Sequence, residues 1–213
     1  MVKINETQAA FIGISTLLLL FFGFLGYVAY IGHTPVVILS QDKKSVILTN
    51  HFDKTRKEIL NITKLPKKST VDPDFGFSNH TFNDASLSPQ HDFVAFSVHG
   101  VHDWIGLYNI KNEDITDIDS FSVAIPGNIL WSPNNRFFAI EILPASGYKT
   151  IGIYDIKLKK ALETPYEQRV AQEQLDVTKP QWSRDGSTLS VILSDPSTFF
   201  NRGKHYTIIP IEK

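Results

Sequence analysis

The residues that come nearest to chemistry are His99-x-x-His102-Asp103. Two imidazoles three apart beside a carboxylate are donor types that hold zinc. A hydrolase-like reading would place turnover on His102. A metal site needs a further ligand, however. The chain has no cysteine, no helix presents the pair, and no third ligand accompanies it. The expectation is therefore no metal, with His99, His102 and Asp103 as the candidates were one to bind. Asp72-Pro73-Asp74 supplies oxygens, but calcium asks for about six or more. Asp114, Asp117 and Asp119 read as the solvated side of an outer strand. There is no Gly-x-Ser-x-Gly elbow, phosphate-binding glycine loop, dinucleotide fingerprint or His-Glu-x-x-His. The expectation is a protein that is not an enzyme and takes no cofactor.

The elements that would position these residues come from a repeat. Ile105-Gly106-Leu107-Tyr108-Asn109-Ile110-Lys111 is matched by Ile151-Gly152-Ile153-Tyr154-Asp155-Ile156-Lys157. Each copy follows a Ser-led turn and an apolar run: Ser88-Pro89-Gln90-His91-Asp92 before Phe93–Val98, and Ser132-Pro133-Asn134-Asn135-Arg136 before Phe137–Leu143. A further turn starts at Ser183-Arg184-Asp185-Gly186. Pro and Gly in these turns fix or free φ as tight turns require. Periods of about 40–50 residues with four short strands each are propeller values. The expected units are about 34–66, 84–121, 128–166 and 180–213. In the first, Val36–Ser40, Ser45–Thr49 and Glu58–Thr63 read as the second to fourth strands of a blade. Phe93–Val98 and Thr188–Leu193 read as inner strands packed on both faces. Trp131 and Trp182, each just before its turn serine, read as blade-to-blade core.

Ahead of the repeat, Ala9 to Ile31 contains no charged residue. At about 1.5 Å per residue, a helix of that length spans the roughly 30 Å hydrocarbon core. Tyr27 and Tyr30 suit the aqueous interface. A cleaved signal peptide would have a shorter apolar region and a small-x-small site, for which Ala29 and Gly32 are poor matches. The expected organisation is an N-terminal tail at 1–8, a transmembrane helix at 9–32 and a propeller-like domain at 33–213. Gly23, Gly26, Ala29 and Gly32 recur every three residues as a candidate strip for packing another membrane helix. The charge pattern of Lys3 against the more distant Lys43 and Lys44 leans towards an extracytoplasmic body.

The 213 residues carry a net charge of −1 and 15 phenylalanines. Balanced charge argues against a nucleic-acid partner, and the aromatic and β-branched content favours strands.

Trp131-Ser132-Pro133-Asn134-Asn135 and Trp182-Ser183-Arg184-Asp185-Gly186 resemble the TolB-type, WD-like propeller repeat, and Leu87-Ser88-Pro89-Gln90-His91 does so less closely. The resemblance covers about residues 84–213. It implies an all-β fold, a small or partial β-propeller of about four antiparallel units, and protein-binding or scaffold work. The motif is structural and transfers no catalytic residue.

In such a fold the short turns share one face and the longer loops the other. The long set comprises 69–83, 99–103, 144–149, 166–179 and 195–204, rich in aromatics and histidine. Phe75, Phe77, His102, Tyr148, Phe199 and Phe200 are the candidate partner-binding residues, with His80, Phe82 and His99 beside them. The first and last units each lack a strand, and open edges ask for cover. The functional expectation is a non-catalytic, membrane-anchored module. It would dock to or stabilise a membrane complex, another protein or a second copy. Alternatives are an envelope or ligand sensor, with a pocket near His99, His102 and Tyr148, and a hydrolase-like propeller enzyme.

Overall fold

The structure, a computed structural model, describes residues 6–50, 54–66, 80–100, 102–121, 124–144, 147–162, 175–195 and 204–208. The chain divides into two compact units. One holds the N-terminal segment to Val36 with the hairpin tip Thr49–Arg56. The other holds Val37–Leu48 and the chain from Lys57 onward.

In the first unit, α1 (Glu6–His33) is a 28-residue helix. Its leucines and alanines favour helix, and no proline interrupts it. Pro35 stops it, because proline disfavours a helical residue before it and brings no N–H of its own. The four consecutive residues Leu17 to Leu20 step around the whole circumference, and all four are exposed, Leu19 to 74%. The helix is thus apolar on every side, unlike the single stripe of a surface helix. No helix among the described residues is long and apolar enough to cross a membrane. The described side chains of α1 run from Ile14 to Ala29, and its backbone extends beyond them at both ends.

The rest is four sheets, each a meander. Sheet one holds β1 (Pro35–Leu39), β2 (Ser45–Asn50) and β3 (Arg56–Asn61). Sheet two holds β4 (Thr81–Leu87), β5 (Phe93–His99), β6 (Asp103–Asn109) and β7 (Ile115–Phe121). Sheet three holds β8 (Ala124–Trp131), β9 (Phe137–Pro144), β10 (Thr150–Asp155) and β11 (Lys160–Leu162). Sheet four holds β12 (Asp176–Trp182), β13 (Leu189–Ser194) and β14 (Lys204–Ile208).

Three apolar layers join the sheets in chain order. Between sheets one and two lie Val46 and Leu60 against Phe82, Phe96 and Trp104. Ala95, Ile105 and Ile118 meet Trp131, Phe138 and Tyr154 between sheets two and three. Phe137, Ile151 and Ile153 meet Val177, Trp182 and Leu189 between sheets three and four. Phe96 stands edge-on to both Phe82, at 5.6 Å, and Trp104, at 5.3 Å between centroids. Such pairs add about 0.5–1.5 kcal/mol beyond area burial. The blades form a propeller-like succession, and no layer joins sheet four back to sheet one among the described residues.

One turn recurs four times. Ser40, Ser88, Ser132 and Ser183 each close a bond from their own N–H to the carbonyl five residues on. Each Oγ also accepts the N–H of that residue, at 2.9, 3.1, 2.9 and 3.0 Å. The fourth residue of each turn, Lys43, His91, Asn135 or Gly186, has φ between +56° and +69°, the left-handed region where only glycine is free of strain.

This repetition corrects the expected strand positions in the first unit. After the third strand of sheets two and three, Ile110 and Ile156 donate their N–H to the carbonyls of Asp92 and Arg136, each four residues past its turn serine. Ile62 donates in the same way to Lys44, four past Ser40. The three strands of sheet one are therefore the first, second and third of a blade, not the second to fourth. A short 3-10 turn, Ile62–Lys64, follows where sheets two and three go on to a fourth strand.

β13 also differs from expectation. Leu189, Val191 and Leu193 are buried, while Ser190, Ile192 and Ser194 are not. That alternation is one buried and one partly wet face.

Candidate functional site

The long-loop face is described at two places, the β5–β6 connection and the segment before β10. β5 and β6 pair from Phe93↔Asn109 to Val98↔Trp104, and this carries His99 to one side of the connection and Asp103 to the other. Asp103 is buried, with 7% of its side chain exposed, whereas His99 is 51% exposed. The Asp103 carboxylate meets His99 Nδ1 at 2.6 Å and accepts the Gly100 N–H at 3.2 Å. A proton on His99 Nδ1 is thereby favoured, leaving Nε2 towards solvent. An Asp–His pair of this kind can orient a base, but no hydroxyl is bonded to His99 among the described residues.

Beneath the connection lies His80. A Cβ on Gly100 would stand 2.0 Å from His80 Cδ2, so glycine is what lets the backbone cross the ring. Lys44 Nζ donates to the His80 carbonyl. His80 and Phe82 are only 1% and 0% exposed. This corrects their reading as loop-face residues: both are buried, and Phe82 belongs to the layer between sheets one and two.

His102 and Tyr148 are half-buried. Tyr148 follows the Pro144–Gly147 turn, which is closed by Gly147 N–H to the Pro144 carbonyl with Gly147 at φ +83°. The next residue is tied to sheet four: Lys149 N–H donates to Asp176 Oδ1 at 2.7 Å, and Val177 N–H to the Lys149 carbonyl at 2.9 Å. Tyr148 thus sits on a braced loop. Phe75, Phe77, Phe199 and Phe200, and Asp72-Pro73-Asp74, lie outside the described residues.

As to metals, no group of three or more His, Asp or Glu that could hold an ion occurs among the described residues. Asp103 instead spends its carboxylate on His99 and Gly100.

Asp119 is not a solvated outer-strand acid. Its Oδ2 accepts the Tyr154 hydroxyl at 3.0 Å, linking sheets two and three, and burial raises its pKa against the opposing hydrogen bonds of Tyr154 and Ser120. The Asn61 side chain is also committed internally. Asn61 Nδ2 donates to Ser45 Oγ at 2.9 Å, and its Oδ1 accepts the Thr63 N–H and hydroxyl. In α1, a Cβ at Gly23 or Gly26 would meet nothing within 4 Å, and Ala29 is exposed. Gly32 is described only as helical backbone.

No protein-family model matches the sequence, and no curated protein matches it either. Solved structures do match the fold. The chain superposes on TolB from Acinetobacter baumannii with a TM-score of 0.50 at 13% identity, over 83% of this chain and 40% of that one. It superposes on the β-propeller domain of the Trilobed protease from Pyrococcus furiosus with a TM-score of 0.50 at 12% identity, over 82% of this chain and 49% of that one. The fold is thus that of TolB-like β-propellers, and this chain spans less than half the length of the two structures named. Likeness at this identity carries the fold and not the activity.

Proposed function

We propose that the protein is a non-catalytic, membrane-anchored interaction module with its blade array outside the cytoplasm. Anchoring is supported by the apolar, exposed circumference of α1, which a bilayer would cover and water would not. The single observation behind the interaction role is the braced loop face. His99 is pinned by buried Asp103, and Tyr148 is held between the Gly147 turn and the Lys149–Asp176 bond. Fixed, partly exposed aromatic and imidazole side chains on a rigid scaffold suit a protein partner. His102 and Tyr148 are the described contact candidates; Phe75, Phe77, Phe199 and Phe200 complete the set. The partner is a protein of a membrane complex.

Alkaline carbonate washing of membranes, followed by detergent affinity purification, tests both parts. The protein should stay in the pellet, and its companions should be lost from a His102→Ala/Tyr148→Ala double variant that still folds. Release into the wash defeats the anchor. Companions that stay bound to the double variant defeat the loop face.

A further inference from the structure

A cavity of about 120 Å³ opens between sheets two and three, on the side of the short turns rather than the long loops. At roughly 30 Å³ per liquid water it has room for about four waters. Its floor is apolar, from Leu107 and Ile156, which are buried. Its rim is polar: Asn112, Asp114 and Thr116 come from sheet two and Lys159 from the β10–β11 turn.

Charge distinguishes this cavity from a packing gap. Asp114 and Lys159 are both exposed and line the same opening, yet no ion pair joins them among the described residues. Asp114 is braced on one side only: Asn112 Nδ2 donates to its Oδ2 at 2.6 Å, and its own N–H reaches Asn112 Oδ1 at 3.3 Å. The other carboxylate oxygen and the Lys159 ammonium thus flank an apolar floor as separate charges of opposite sign.

We propose that this cavity binds a small zwitterion, a free amino acid with a short apolar side chain. The ligand ammonium would meet Asp114 and Thr116, the carboxylate would meet Lys159, and the side chain would cover Leu107 and Ile156. A simple anion would face Asp114, and a simple cation would face Lys159, so each forfeits one pairing and meets one repulsion. An uncharged apolar molecule would strip water from both charges without replacing it. The proposal does not depend on the anchor or on the loop-face partner, which lie elsewhere in the chain.

The test is calorimetric titration of the full chain in detergent with L-valine, isobutylamine and 3-methylbutanoate. Valine should saturate a single site, with each one-charge analogue weaker by about tenfold or more. Asp114→Asn and Lys159→Gln, both at exposed positions, should each weaken valine by about tenfold while the thermal midpoint stays put. Absence of a saturable valine signal, equal binding of valine and its analogues, or unchanged binding in both variants would overturn the proposal.

Discussion

The indole Nε1 of Trp182 donates to the backbone carbonyl of Leu130 at 3.0 Å, across the boundary between sheets four and three. The relationship repeats one blade earlier, where Trp131 Nε1 donates to the Ser86 carbonyl at 3.0 Å. In both cases the donor stands one residue before its own turn serine, and the acceptor stands two residues before the turn serine of the preceding blade. The tryptophans are thus blade-to-blade core, as their shared position in the repeat suggests, and they also set the register of one blade on the next.

Trp182→Phe keeps most of the apolar bulk but leaves the Leu130 carbonyl without this donor. The expected loss is about 2 kcal/mol in urea unfolding, from the unsatisfied carbonyl and the smaller ring together. A loss well under 0.5 kcal/mol would show that the bond does not couple the blades.

Gly106 and Gly152 occupy the same place in the repeat, and each is overlain by an aromatic side chain. A Cβ at Gly106 would come to 2.4 Å from Phe96 Cζ, and one at Gly152 to 2.6 Å from the Tyr154 hydroxyl. Gly106→Ala should cost about 2 kcal/mol by overpacking. Gly152→Ala should also displace the hydroxyl from Asp119, visible as a change in tyrosine near-ultraviolet circular dichroism.

His91 is exposed and holds φ +62°, where the matching position of the last turn is Gly186 at φ +69°. His91→Gly should raise stability by about 0.5 kcal/mol, since relief of left-handed strain outweighs the added freedom of the unfolded chain. A lower unfolding midpoint would mean that the imidazole makes a stabilising contact.

Asp119 and Asp185 tilt the pH dependence in opposite directions. Burial raises the pKa of Asp119. Its contribution is therefore full below the unfolded carboxylate value and is lost as pH rises through the folded one. The pKa of Asp185 is lowered to about 2 by the Ser183 hydroxyl and then by the Ser187 N–H and hydroxyl. Its contribution is present above the unfolded value and is lost as pH falls through about 2. Asp119→Asn should therefore gain midpoint temperature relative to wild type as pH climbs from about 3 to about 7. Asp185→Asn should lose it over the same climb.

Blades two to four were legible because Pro, Asn or Gly at the serine turns advertises tight geometry. The Ser40 turn was hidden. Its sequence, Ser40-Gln41-Asp42-Lys43-Lys44, carries neither Pro nor Gly, and Lys43 takes the left-handed position at φ +56° unaided by its residue type. With that turn unrecognised, the strands of sheet one were shifted by one place in the blade. The first strands of sheets two to four begin before the expected unit starts at about 84, 128 and 180 for a different reason. Each carries an irregularity, between Phe82 and Asp84, Pro126 and Ile129, and Thr178 and Gln181. Such a bulge breaks the alternation on which strand recognition rests. His80 and Phe82 lie before the first of these, which is why they looked like loop residues. The histidine pair at 99 and 102 was visible from spacing. That Asp103 is buried and serves His99 and Gly100 depends on how β5 meets β6, which no local pattern encodes. The cavity at Asp114 and Lys159 brings together residues of two sheets and had no sequence signal at all.

The most direct test of the anchored interaction module is its native mass after gentle detergent extraction from membranes, with identification of whatever comes with it. The account predicts a species larger than one chain in its micelle, with defined protein companions that fall away in the His102→Ala/Tyr148→Ala variant. A protein recovered from the bilayer-free fraction, or a single chain without companions, would contradict it.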